Sequence, residues 1–142
     1  MFYELATLTV KFGTTPKTSD PISTYVNAKG AKGTLCGVWY ADIGELNKVH
    51  ILREFATQAD LDAERERGLR SADPFGCAEF IVDIDMVAYK GFDFMPPVNV
   101  SQKGPVYEIR TYGIKLGGVP HTIAAWEAAL PARAVLSPCV VA

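Results

Sequence analysis

A chain of 142 residues, 49% hydrophobic and 21% charged, has a globular composition, which excludes disordered and collagen-like classes. Its 14 Lys and Arg against 16 Asp and Glu give a net charge of −2, so there is no bulk attraction to nucleic acid or anionic lipid. Cys36, Cys77 and Cys139 are odd in number, far apart and without a Cys-x-x-Cys pair, which argues against a disulfide framework and structural zinc. With only His50 and His121 as histidines, no metal centre is expected.

The segment Phe2–Phe12 alternates and predicts a strand; it has neither the basic start nor the apolar core of a secretion signal. No window reaches the ~20 apolar residues of a membrane span. The expectation is a soluble protein of the cytoplasm, a reducing compartment. Asp20 before Pro21 predicts a helix start, Ile22, Tyr25 and Val26 share its inner face, and Gly30 ends it. Thr34–Asp42 and Lys48–Ala56 predict a hairpin. Thr57 with Asp60 resembles a capping box and opens a helix to about Arg70. The spacings Asp62–Arg65, Glu64–Arg67 and Glu66–Arg70 predict ion pairs on a solvated face of that helix. Asp73-Pro74-Phe75-Gly76 breaks it. Glu79–Tyr89 is the last predicted strand, with Phe80, Val82, Ile84, Met86 and Ala88 on one face and Glu79, Asp83 and Asp85 on the wet one. The order β-α-β-β-α-β is that of an α+β, ferredoxin-like unit.

Residues 107–117, YEIRTYGIKLG, repeat residues 3–13, YELATLTVKFG, at a constant offset of 104. Tyr, Glu, Thr, Lys and Gly recur in place, and Leu5/Ile109, Val10/Ile114 and Phe12/Leu116 keep their apolar character. Pro120 opens a second predicted helix, as Pro21 opens the first. Ile123, Trp126 and Leu130 then mark a helix stripe ending at Pro131, and Val135–Val141 begins a further strand. The expected organisation is a first unit at 1–97, a linker at 98–104 and an incomplete second copy at 105–142. Two complete copies would take roughly 208 residues, so a truncated second copy is expected. A sheet whose helix-free face is apolar must meet a second sheet or remain wet at ~25 cal/mol per Å². Pairing two such sheets makes an α+β barrel, by tandem repeat or by homodimerisation.

Tyr107-Glu108-Ile109-Arg110-Thr111-Tyr112, Lys115-Leu116-Gly117-Gly118 and Trp126 resemble the NIPSNAP family, as do Tyr3-Glu4-Leu5, Gly37-Val38-Trp39, Val49-His50-Ile51-Leu52 and the stretch from Arg65 and Arg67 to Asp73-Pro74. The first copy departs from the pattern, with Ala6 where the second has Arg110 and Leu8 where it has Tyr112. The resemblance implies a dimeric α+β barrel. It implies no settled reaction, because kinship of fold does not transfer function.

Glu4 is a candidate ligand-binding residue, because it lies on an otherwise apolar strand face, which is costly unless the carboxylate is paired. Glu108 has Arg110 two residues on, and with Tyr112 this set is a candidate for orienting a small ligand inside the barrel; a structural ion pair is the plainer reading. His50 is a candidate proton shuttle or axial haem ligand, or a hydrogen-bonded strand histidine. Trp39 and Tyr40 occupy opposite strand faces, so at most one lines a pocket, and Trp39 is the candidate. The functional expectation is a protein that binds a small molecule or a partner through the barrel cavity, with no cofactor required. The alternatives are a small barrel monooxygenase or haem-handling enzyme using His50, and an interaction or scaffold protein.

Overall fold

The computed structural model describes residues 1–100, 104–136, 139, 141 and 142. The chain divides into two compact units, Met1–Lys90 and Gly91–Ala142.

The first unit runs β1 (Phe2–Val10), α1 (Ser19–Val26), β2 (Thr34–Tyr40), β3 (Lys48–Phe55), α2 (Gln58–Arg70) and β4 (Ile81–Lys90). Its four strands form one antiparallel sheet in the order β2-β3-β1-β4, the ferredoxin-like interleaving that the element order predicts. One face packs on the helices. There Ala6, Leu8, Val10, Val49 and Ile51 meet Ile22 and Val26 of α1, with Phe75 and Cys77 closing the core. Each Val, Leu, Ile or Phe side chain among them contributes ~1.5–3 kcal/mol by leaving water.

The expected caps and breaks hold in part. Thr57 Oγ1 accepts the Asp60 N–H at 3.1 Å and donates to its carboxylate at 2.7 Å, so Thr57 is the N-cap of α2. Thr57→Ala is expected to cost about 1 kcal/mol, read as a lower urea midpoint that Thr57→Ser restores. At α1 the expected N-cap shifts. Thr18 holds that position without a side-chain cap bond, and Asp20 falls inside the first turn, where a carboxylate favours the helix dipole. The helix ends at Val26, ahead of Gly30. On β4 the predicted apolar alternation breaks at one place. Val10 pairs with Ile81 but Thr9 with Asp83, so Val82 is an inserted bulge residue and is 66% exposed.

The charged face of α2 is not wholly solvated. Glu66–Arg70 is a surface pair at 2.7 Å, but Glu64 is buried. The expected Asp62–Arg65 pair gives way to others: Gln58 donates to Asp62 at 2.9 Å, and Arg65 donates to the Met86 carbonyl at 3.2 Å.

The second unit carries α3 (Val119–Leu136). The helix runs through Pro131 instead of ending there. Proline removes one N–H from the ladder, and the helix continues around it. Ile123, Trp126 and Leu130 are half-buried, as is Thr122, while the other residues of the helix are exposed. Residues 106–115, expected to form a strand, pair with no strand among the described residues. Of the strand expected at 135–141, Val135 and Leu136 belong to α3, and 137, 138 and 140 lie outside the described residues, as do 101–103 of the expected linker. The two Lys-x-Gly ends share a backbone conformation: Gly13 has φ +75° and Gly117 has φ +76°. No described helix is long and apolar enough to cross a membrane.

Candidate functional site

The alternation of β1 and β3 sends two sets of side chains to opposite sides of the sheet. On the helix side, Glu4 stands directly across from Arg53. Arg53 is 2% exposed and donates to Glu4 at 2.5 Å and to Glu64 of α2 at 2.7 Å. Glu64 also accepts from Arg67 at 2.8 Å and from the Lys32 N–H at 2.9 Å. Burial pushes the Glu64 carboxyl up, but the bonds from Arg67 and Lys32 and the charges of Arg53 and Arg67 outweigh it and hold it below the usual carboxylate range. The Arg53 guanidinium lies 5.3 Å from the Phe55 ring centre and 5.2 Å from that of Phe75. Arg67 lies 3.8 Å over Tyr25. Alternating charges thus tie β1, β3 and α2 together inside the core. Glu4 is part of this framework and faces away from His50 and Trp39.

The helix-free side has another character. One row across the sheet is Trp39, His50, Thr7 and Asp85, from β2, β3, β1 and β4. Thr7 Oγ1 lies 3.1 Å from His50 Nδ1. Burial, with the charge of Lys48 beside it, lowers the His50 pKa and favours neutral imidazole. The unfolded chain therefore binds a proton at His50 more readily than the folded one. Stability is expected to fall as pH drops from about 6.5 toward the folded value, and the slope should vanish in His50→Gln.

The next row has Gly37, Leu52, Leu5 and Val87. The Trp39 ring lies over Gly37, where an added Cβ would come within 2.4 Å of it. Gly37→Ala is expected to lift the indole off the sheet and shift its fluorescence, with little change in the far-ultraviolet spectrum. Beyond that row Tyr3 donates to Glu54 at 3.0 Å, and burial together with Glu54 raises the phenol pKa strongly. Burial and the same carboxylate push the Cys36 thiol up to about 11, so it is a poor nucleophile at neutral pH. At the other end Lys48 donates to Thr9 at 2.7 Å. The described residues include no cluster of His, Cys, Asp and Glu able to hold a metal ion.

The structure thus brings His50 and Trp39 together and sets Glu4 on the opposite face. Glu108 and Arg110 pair at 2.7 Å in the second unit, where both are exposed, as is Tyr112. The hydrogen bond from Arg110 lowers the Glu108 pKa, and the same bond, with one to Tyr112, raises that of Arg110. Arg53 was not visible as a site residue, although its signal is in the sequence. Val49, Ile51, Arg53 and Phe55 alternate inward, and an inward arginine on one strand answers an inward glutamate on another.

The NIPSNAP family model matches residues 3–102. The chain belongs to the NIPSNAP family. Solved structures agree. An uncharacterized NIPSNAP domain protein from Burkholderia xenovorans is 20% identical with a TM-score of 0.51, over 68% of this chain and 99% of its own. A protein from Agrobacterium tumefaciens is 26% identical with a TM-score of 0.52, over 68% of this chain and 98% of its own. A NIPSNAP family protein from the same organism is 18% identical with a TM-score of 0.52, over 67% and 96%. No curated protein sequence matches the chain. The NIPSNAP match ends before the second Tyr-Glu segment at Tyr107, and so it covers the unit that holds both the ion-pair network and the His50 row.

Proposed function

We propose that this NIPSNAP chain binds a small organic molecule against the helix-free face of its sheet, in an α+β barrel completed by a second such sheet. A homodimer supplies that second sheet, and the recurrence of residues 3–13 at 107–117 in the sequence supports the same architecture. The observation that carries the reading is the Trp39–His50–Thr7 row. It sets a flat aromatic surface beside a neutral imidazole whose Nδ1 is held by a hydroxyl. Ligand pockets combine apolar walls with a few fixed polar groups of this kind. Three free thiols, all with raised pKa values, suit a reducing compartment such as the cytoplasm.

The test uses N-phenyl-1-naphthylamine, an uncharged probe that brightens in apolar enclosures. Saturable binding at micromolar concentration is expected, weakened about tenfold in Trp39→Ala at an unchanged unfolding midpoint. Binding indifferent to Trp39 and His50 would sink the proposal. A second reading is enzymatic and rests on His50 alone. An imidazole oriented through one nitrogen suits proton transfer or axial ligation of haem. A Soret band that His50→Ala abolishes supports it, and no spectral change with micromolar haem refutes the haem form.

A further inference from the structure

Charge is spread unevenly over the helix-free side of the sheet. Lys48 stands at one end of β3, where its ammonium meets Thr9 at 2.7 Å and Glu45 at 3.3 Å. Glu54 stands on the same side of the same strand, about 20 Å further along. Trp39 leans toward this acidic end. It pairs with His50, but its six-membered ring reaches over Gly37, which pairs with Leu52, one step nearer Glu54. The ring atoms Cζ2, Cη2 and Cε2 would come within 2.4, 2.5 and 2.9 Å of a Cβ at Gly37, so the ring lies across bare backbone there. That row is about 7 Å from the row of Glu54. Trp39 is half-buried, so part of the indole faces solvent. The Glu54 carboxylate is felt by its neighbours. Burial, then its hydrogen bond and charge, raise the Tyr3 phenol, and burial followed by its charge pushes up the Cys36 thiol.

We infer that the ligand of this face is an organic ammonium ion with an apolar body, its charge seated on the Trp39 ring toward Glu54 and its body along Leu52 and Leu5; this rests on the reading of the helix-free side as the binding surface. The face of an aromatic ring is electron-rich and attracts cations, an indole most strongly. A carboxylate one row away adds attraction of the same sign. Leu5, in the row of Gly37 and Leu52, supplies apolar floor beside the ring. An anion in the same place would be repelled by both the ring face and Glu54. The cation that could hold an anion, Lys48, lies at the opposite end and is already engaged by Glu45 and Thr9. Asp83 and Asp85, exposed on β4, give the rest of this side the same sign as Glu54.

The experiment displaces N-phenyl-1-naphthylamine from the full-length chain with phenyltrimethylammonium and with tert-butylbenzene, which has the same shape without the charge. The ammonium is expected to compete at about tenfold lower concentration, and benzenesulfonate to compete least. In Glu54→Gln, which keeps an acceptor for Tyr3, the ratio between the two competitors should shrink to about twofold. Equal competition by the two in the wild-type chain, or a ratio unchanged in Glu54→Gln, would overturn the inference while leaving the binding surface itself standing. Should the uncharged probe not bind at all, phenyltrimethylammonium is titrated directly against the Trp39 indole N–H resonance, assigned with Trp39→Phe. A saturable shift that weakens in Glu54→Gln upholds the inference, and no shift overturns it together with the reading on which it rests.

Discussion

Arg53→Ala is expected to lower the unfolding free energy by about 3–5 kcal/mol, the typical cost of stranding buried charge. The substitution leaves Glu4, which is fully buried, without its cation, and removes one of the two arginines on Glu64. It also takes away the group lying against Phe55 and Phe75. Urea unfolding at pH 7, followed by far-ultraviolet dichroism, reads the change. The combined variant Glu4→Leu/Arg53→Met should recover part of it, because Glu4 is then no longer stranded, while Glu64 keeps Arg67 but loses one cation. A loss below about 1 kcal/mol would show that the network contributes little. The pH response follows from the sign of the Glu64 shift. Its folded pKa is depressed, so its contribution is full above the unfolded carboxylate value of about 4.3 and is lost as pH falls through the folded value. Acid unfolding should therefore begin below about pH 4.3, and Glu64→Gln should flatten that part of the curve while lowering stability at neutral pH.

Gly33→Ala is expected to cost roughly 2–4 kcal/mol, combining left-handed backbone strain with overpacking. Gly33 has φ +79°, and an added Cβ would lie 2.5 Å from the Phe55 ring and 2.9 Å from the Glu54 carbonyl oxygen. The backbone oxygen belongs to a paired strand and cannot retreat. Gly30 supplies the control: it has φ +87° with open space around it, so Gly30→Ala should cost only about 1–2 kcal/mol from backbone strain. Displacing Phe55 also disturbs its contact with Arg53, so Gly33→Ala and Arg53→Ala should combine non-additively in a double-mutant cycle. Equal losses at Gly30 and Gly33 would refute the packing argument.

The sheet and its helices were legible because period-two and helical patterns, the Thr57 cap and the Asp73-Pro74 break are local signals. Strand ends were less so. Val82 reads as an inward residue by alternation, and only the pairing with β1 reveals the bulge. Pro131 reads as a stop, yet the helix continues through it with one N–H missing from its ladder. At the site, alternation correctly put Glu4 on the apolar side of β1 but could not say what that side meets. Its partner lies 49 residues away, and Glu64 sits in a run of charge that looks uniformly solvated. The nearness of His50 to Thr7 and of Trp39 to Gly37 depends on strand order and register, which no single segment encodes.

The pair formed by Glu4 and Arg53 also bears on how the chain reaches this fold. Sliding β1 by two residues along β3 would keep every apolar side chain pointing inward, so greasiness alone cannot distinguish the correct alignment from its nearest competitors. In those competitors Glu4 would sit opposite Ile51 or Phe55 instead of Arg53. The two charges therefore work as an index mark, penalising misaligned intermediates by the energy of an orphaned ion and leaving a single alignment in which the hydrophobic pattern and the charge pattern agree.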